Sequence, residues 1–175
     1  MRRIVTFMLA MLLLSACSAR REAIAAPATE PNLTYLLTAR QSYAAGEPVL
    51  LKFELHNLGD ATVYVLKWYT PLEGIWGNIF RLTRDGEEIP YSGPMVKRGD
   101  PQSSDYIEVA GHGTVSGEVD LARTYDLSKP GTYRVEFSGD LPDVVSRQDL
   151  VPQPRDKHQA RKIPGNKVSF EITQR

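Results

Sequence analysis

Residues 49–56 read VLLKFELH, and this short stretch decides the fold class. Apolar side chains occupy every second position, at Val49, Leu51, Phe53 and Leu55. Successive side chains of a β-strand point to opposite faces of the sheet, so a period of two marks a strand with one buried face. The stretch therefore predicts a half-buried strand.

The same period of two returns along the chain from about residue 33. It is found at residues 63–65, 79–82, 115–121, 133–137 and 168–172. Asp85-Gly86 follows one of these runs and predicts a hairpin, because glycine accepts positive φ. No long stretch has the helical period. The sequence therefore predicts an all-β protein, an immunoglobulin-like antiparallel β-sandwich of about seven strands.

Tyr133 opens a predicted strand directly after a Pro-Gly turn. It is either the tyrosine corner of immunoglobulin-like folds, whose hydroxyl bonds the backbone a few residues upstream, or a plain inward-facing aromatic. Both interpretations fit the sequence.

The first sixteen residues predict a signal peptide. Arg2 and Arg3 precede an apolar run, residues 4–16, that as a helix is about 20 Å long and too short for the ~30 Å hydrocarbon core. Leu14-Ser15-Ala16-Cys17 resembles a bacterial lipobox, so we expect Cys17 to carry lipid and to hold the chain on a membrane. A plain secretory signal is the alternative. The expected location is the bacterial cell envelope, on the outer membrane facing the periplasm or the surface.

Three further segments follow the signal peptide. Residues 17–32 are rich in Ala and Pro and predict a flexible tether. Residues 33–175 form the predicted sandwich, which contains a long connection at 138–166. A connection of this length is usually functional or disordered. Its four prolines predict an extended, stiffened segment; a disordered surface insertion is the alternative.

Recognised catalytic motifs are absent from the sequence. His56, His112 and His158 stand alone, and neither H-E-x-x-H nor Gly-x-Ser-x-Gly occurs. We therefore predict no enzyme activity, no metal site and no cofactor; an enzyme with an unrecognised site is the weakest alternative. The chain has 21 basic and 21 acidic side chains, so charge gives no support to nucleic-acid binding.

Residues 66–82, LKWYTPLEGIWGNIFRL, carry both tryptophans on a stretch broken by proline and glycine. Trp68 and Trp76 can either cap the open end of the sandwich or form a binding hot spot, because Trp, Tyr and Arg dominate interface energies. The alternation places Leu66 and Trp68 on the face opposite Val63 and Val65. The candidate partner-binding residues are Trp68, Tyr69, Trp76, Tyr91, Lys97, Arg98, Arg155 and Lys157. For those on the connection at 91–101, a solvated loop is the alternative.

Two segments, residues 56–101 and 105–137, carry long motifs. They contain N-x-G-D, V-L-K-W-x-T-P-x-E-G, Y-x-G-P-x-x-K-R-G-x-P and Y-D-L-S-x-P-G-x-Y. This pattern resembles the amino-terminal pro-region of bacterial metalloendopeptidases of the deuterolysin and peptidyl-Lys type, over most of residues 35–172. The resemblance implies a β-sandwich that inhibits a cognate metallopeptidase or assists its folding. Since H-E-x-x-H is missing, we expect a free-standing pro-region-like module. Its connection at 138–166 is expected to lie in a protease cleft as a substrate does, and occupancy of the protease pocket by Lys97 is the alternative.

A second functional hypothesis belongs to another class. The chain would be a non-catalytic envelope lipoprotein that uses the same aromatic loop to bind another protein or a polysaccharide.

Overall fold

The fold is all-β over residues 32–174, which are the residues that the computed structural model describes. Within this range the chain forms thirteen strands and four short 3-10 helices. The predicted signal peptide, the predicted lipidation site Cys17 and all but the last residue of the predicted tether lie outside the described residues. No helix between residues 32 and 174 combines the length and the apolar character needed to cross a membrane.

The strands vary from two to eight residues in length. They are β1 (Leu33–Thr38), β2 (Ser42–Ala44), β3 (Leu50–Asn57), β4 (Val63–Leu66), β5 (Phe80–Arg84), β6 (Glu87–Glu88), β7 (Tyr106–Val109), β8 (Thr114–Asp120), β9 (Gly131–Phe137), β10 (Asp140–Leu141), β11 (Val144–Val145), β12 (Arg161–Lys162) and β13 (Lys167–Thr173). The 3-10 helices are Ser103–Asp105, Leu121–Arg123, Gln148–Leu150 and Arg155–Lys157.

Four sheets share these strands. A three-stranded sheet has the order β1-β3-β8, and a five-stranded sheet has the order β2-β13-β9-β5-β6. A second three-stranded sheet, β11-β4-β7, and the small pair β10-β12 complete the domain. The sheets β1-β3-β8 and β2-β13-β9-β5-β6 form the two layers of the sandwich. Their inward side chains join one buried cluster, to which β4, β7 and β11 also contribute.

Aromatic rings fill the middle of the sandwich. The Phe137 ring on β9 makes edge contacts with Tyr35 on β1 and Phe53 on β3, both at 5.3 Å between centroids. Phe80 on β5 lies 6.0 Å from the same ring. Edge-to-face packing at such distances adds to the stabilisation from burial. The alternation around Phe53 therefore serves to place one face of β3 on this aromatic cluster.

Strand β4 is buried on both faces. Val63 and Val65 join the main core, whereas Leu66 joins a smaller buried cluster with Trp68, Tyr106 and Val145. The prediction that Leu66 and Trp68 face away from the two valines is confirmed.

The fold class is confirmed, and two details of it are corrected. Strand β2 runs parallel to β13, so the sheets are not wholly antiparallel. The described residues contain thirteen strands rather than about seven, although only eight of them have four or more residues. The additional strands are too short to carry a visible period, and pairing with their neighbours defines them.

Two local predictions concern turns. The Asp85-Gly86 hairpin is confirmed: both residues have positive φ, 50° and 92°, between the paired strands β5 and β6. The Tyr133 hydroxyl donates to the carbonyl oxygen of Lys129 at 2.7 Å, while its ring is fully buried. Tyr133 is therefore a tyrosine corner, and it is also an inward-facing aromatic.

The connection at 138–166 is built into the fold, so the alternative of a disordered surface insertion is wrong. Strand β11 pairs with β4, and β10 pairs with β12. Asp143, Val144, Val145 and Ile163 are buried. An exchange of the whole of 143–163 for a flexible linker would therefore remove part of the core.

Candidate partner-binding surface

Two loops meet at an arginine on one side of the domain. Arg98, on the connection after β6, donates to the carboxylate of Glu73 at 2.8 Å. The same guanidinium lies over the Trp68 ring, 5.2 Å from its centroid. Glu73 and Trp68 belong to the V-L-K-W-x-T-P-x-E-G motif and Arg98 to the Y-x-G-P-x-x-K-R-G-x-P motif. The ion pair of Glu73 and Arg98 therefore connects the two motif segments. We call Trp68, Glu73 and Arg98 the arginine clamp.

The charges of the arginine clamp are largely removed from water. The Arg98 and Glu73 side chains are 20% and 13% exposed. Burial raises the pKa of Glu73, although the Tyr69 amide and Arg98 both act against that rise. The Nε atom of Arg98 and the Nε1 atom of Trp68 have no hydrogen-bond partner in the described part of the chain. Such a pair is a weak source of net stability, but removal of one member is costly.

A tight turn positions Glu73 after strand β4. The hydroxyl of Thr70, which is completely buried, donates to the Lys67 carbonyl at 2.6 Å. Tyr69 adopts a left-handed φ of 56°, and its amide donates to Glu73 at 2.8 Å. Such a φ is uncommon for a residue other than glycine. The turn thereby presents the Tyr69 ring outward while its backbone is bonded inward.

The second loop is held by its own aromatic residue. The Tyr91 hydroxyl donates to the Pro94 carbonyl at 2.6 Å, and its ring packs on the edge of Tyr125 at 5.5 Å. Gly93 passes so close to Tyr91 and Thr124 that an added Cβ would lie 2.6 Å from each. The glycine of the Y-x-G-P motif is therefore required by close packing.

Exposed apolar side chains lie beside the arginine clamp. Tyr69, Trp76 and Met95 are 38%, 43% and 80% exposed. Together with Val96 and Pro142 they line a shallow depression of about 430 Å³. The Trp76 indole donates to the Glu73 carbonyl at 2.9 Å, so the ring is held in place although it faces solvent. A rigid, exposed aromatic group of this kind is suited to protein recognition. We call Tyr69, Trp76 and Met95 the aromatic shelf.

The long connection reaches this surface through Arg155. Its guanidinium donates to the Arg98 carbonyl at 2.8 Å. The long connection is also held by Asp143, a buried carboxylate that accepts from the Tyr106 hydroxyl at 2.7 Å and from the Gln159 backbone amide at 3.1 Å. Burial and the Asp143 carboxylate raise the pKa of Tyr106. The Tyr106 hydroxyl therefore stays protonated and donates to Asp143. This hydrogen bond holds the long connection over the smaller core.

The structure separates the eight predicted partner-binding residues. Trp68 is buried in the smaller core with Arg98 over its ring, which agrees with the capping alternative and corrects its place among the contact residues. Tyr91 and Arg98 are half-buried and hold the loops, and their contact with a partner stays a prediction. The side chains that face solvent are Tyr69, Trp76, Lys97, Arg155 and Lys157.

Sequence reasoning missed two residues of this surface. Glu73 is the anionic half of the arginine clamp, and its place in the W-x-T-P-x-E-G motif was the available signal. Met95 is the most exposed large apolar side chain among the described residues. No pattern marks it, because the loop around it has no period.

Residues 32–174 contain no group of three or more His, Asp or Glu side chains placed to hold a metal ion. His112 bonds Asp60 at 2.8 Å in an exposed turn, and His56 bonds Thr114. These local hydrogen bonds account for the positions of both side chains.

The chain is similar in sequence to proteins that are named as proteases. It is 29% identical over 111 residues to the extracellular protease of Aeromonas hydrophila, which covers 62% of this chain and 31% of that protein. It is 30% identical over 122 residues to a probable neutral protease 2 homolog of Arthroderma benhamiae, with 69% and 32% covered. A match of 30% over 96 residues to probable neutral protease 2 homolog B of Trichophyton rubrum covers 53% and 26%. The chain thus spans about a third or less of these relatives.

No protein-family model matches the chain. Among solved structures, a CARDB domain from Pyrococcus furiosus, crystallised in complex with di-metal ions, aligns with 83% of this chain and 96% of its own, at 9% identity and a TM-score of 0.37. A score this low supports no comparison of sites. The fold and the sequence similarity together define a protease-related β-sandwich domain.

Proposed function

We propose that this chain is a lipid-anchored envelope protein whose β-sandwich binds a metallopeptidase and inhibits it or assists its folding. The domain itself is non-catalytic in this proposal. Similarity to proteins named as proteases supports the choice of partner, and the pro-region resemblance supports the role. The alternative, an envelope lipoprotein that binds an unrelated protein or a polysaccharide, uses the same surface.

The meeting of two motif segments carries the proposal. Residues far apart in sequence, Glu73 and Arg98, form a desolvated ion pair that fixes two irregular loops on one side of the sandwich. The loops leave Tyr69, Trp76 and Met95 exposed next to that pair. Rigid aromatic and apolar groups beside a fixed backbone give affinity with little ordering cost. A partner that packs on this side would bury the aromatic shelf.

A binding assay tests the proposal. The mature chain, in detergent micelles, is mixed with the part of the Aeromonas hydrophila extracellular protease that this chain does not match. We expect a one-to-one complex by calorimetry and slower hydrolysis of a peptide substrate. A Trp76→Ala variant should weaken the complex by about tenfold or more, the usual effect of a hot-spot truncation. Leu36→Ala, which shortens a similarly exposed apolar side chain on strand β1, is the matched control.

The folding role is tested separately. The same protease part is unfolded and diluted into buffer with or without the chain, and the recovered activity is measured. Recovery that depends on the chain supports assistance, whereas slower hydrolysis alone supports inhibition. If neither a complex nor any effect on activity is found, the metallopeptidase is the wrong partner and the envelope-lipoprotein alternative takes its place.

The lipid anchor rests on the lipobox-like sequence and gives a prediction of its own. Cys17→Ser removes the only thiol of the chain. We expect the wild-type protein in the detergent phase of a detergent partition and the variant in the aqueous phase or unprocessed. Ser18→Ala changes the neighbouring side chain and should leave the wild-type behaviour intact. If Cys17→Ser and wild type partition alike, Cys17 carries no lipid.

A further inference from the structure

The loop around Met95 has the properties of a peptide held ready for a binding cleft. Exposure alternates along it: Met95 and Lys97 are exposed, whereas Val96 and Arg98 are half-buried. Alternation of this kind is that of an extended backbone. The segment therefore presents two side chains outward on the same side.

Four bonds fix the loop from different directions. The Pro94 carbonyl accepts from Tyr91 at 2.6 Å, and the Val96 amide donates to the Trp76 carbonyl at 3.3 Å. The Arg98 side chain is held by Glu73, and its carbonyl by Arg155 at 2.8 Å. These contacts cover the inward side of the segment.

The outward side of the segment is left free. Within residues 32–174, no hydrogen bond engages the backbone groups of Met95 or Lys97. An extended segment with open backbone groups can pair with a cleft edge as an added strand. Since its conformation is already fixed, the loss of chain entropy on binding is small.

We propose that residues 94–98 enter the substrate cleft of the metallopeptidase as an extended, substrate-like segment, with the Met95 side chain in a pocket and the aromatic shelf against the rim. This rests on the proposed function and adds the mode of binding. Peptidase clefts accept extended peptides, and the fixed inward side keeps the segment from relaxing after it is bound. The long connection then acts as a support through Arg155 rather than as the inserted element.

The first test compares affinities. Met95→Asp places a charge at an 80% exposed position, where it leaves the fold intact, and should weaken the complex with the protease part by about a hundredfold, a change of about 2.7 kcal/mol. Leu58→Asp is the matched control, because it places the same charge at a 52% exposed apolar position in the turn between β3 and β4, and it should change the affinity less than threefold. If the complex forms and Met95→Asp binds as wild type does, the insertion is wrong while the proposed function stands. If wild type forms no complex, the proposed function fails first.

The second test concerns the cleft itself. A peptide hydroxamate that occupies the active site should compete with the chain for the protease part. Simultaneous binding of both would overturn the insertion.

A third measurement uses Arg155→Ala, which removes one support of the loop. The protease part should cut this variant within residues 94–98 faster than wild type, because a less constrained segment is hydrolysed as an ordinary substrate. Equal cutting rates would contradict the supporting role of Arg155.

Discussion

Phe137→Ala is expected to lower the free energy of unfolding by about 3–5 kcal/mol, the range for truncation of a buried aromatic residue. The Phe137 ring is 1% exposed and contacts Tyr35 and Phe53 on the opposite sheet. Its removal leaves a cavity between the two sheets, because neighbouring rings anchored on different strands cannot close it. Urea denaturation monitored by tryptophan fluorescence measures the loss.

Leu50→Ala is the control for Phe137→Ala. Leu50 also lies on a sandwich strand, but it is 45% exposed, so its truncation should change the free energy of unfolding by less than about 0.5 kcal/mol. A loss below about 1.5 kcal/mol for Phe137→Ala would mean that the aromatic cluster is not the centre of the core.

Glu73→Ala is expected to lower the free energy of unfolding by roughly 2 kcal/mol, because it leaves the Arg98 guanidinium partly buried without its anion. The figure is set below that of a fully buried pair, since the two side chains keep 20% and 13% of their exposure. The Tyr69 amide also loses its acceptor. Both motif loops should loosen, and limited proteolysis within residues 91–101 should become faster.

An exposed ion pair provides the comparison for Glu73. Glu88 pairs with Arg81 at 3.5 Å, but both side chains are more than half exposed. Glu88→Ala should therefore change stability by less than about 0.5 kcal/mol and leave the proteolysis pattern unaltered. A double-mutant cycle of Glu73→Ala and Arg98→Ala isolates the pair. A coupling energy near zero would show that the arginine clamp does not hold the loops.

The strands with clear alternation could be predicted from the sequence, because the apolar residues of their buried face recur at every second position. Phe53 and its neighbours on β3 are the plainest case. The short strand β11 could not be predicted in this way: two valines have no period, and its pairing with β4 depends on residues nearly eighty positions away. The parallel pairing of β2 with β13 is likewise decided by tertiary contacts.

The candidate site was only partly accessible from the sequence. Its aromatic and basic residue types were visible, but Trp68 and Trp76 could not be told apart, because both lie on one irregular stretch. The structure distinguishes them, because Arg98 and the long connection cover Trp68 whereas Trp76 faces solvent. The arginine clamp joins residues 25 positions apart on loops without a period, so no local signal predicts the contact. The motifs marked its members without giving their geometry.

Strand β4 is buried on both faces, so it separates two hydrophobic cores that can unfold at different free energies. Within residues 32–174, the smaller core has four buried side chains, Leu66, Trp68, Tyr106 and Val145, so it can open at a lower free energy than the sandwich behind it. Backbone amides of the long connection would then exchange with solvent while those of β3 and β9 remain protected. The smaller core and the long connection can therefore loosen while the sandwich remains folded.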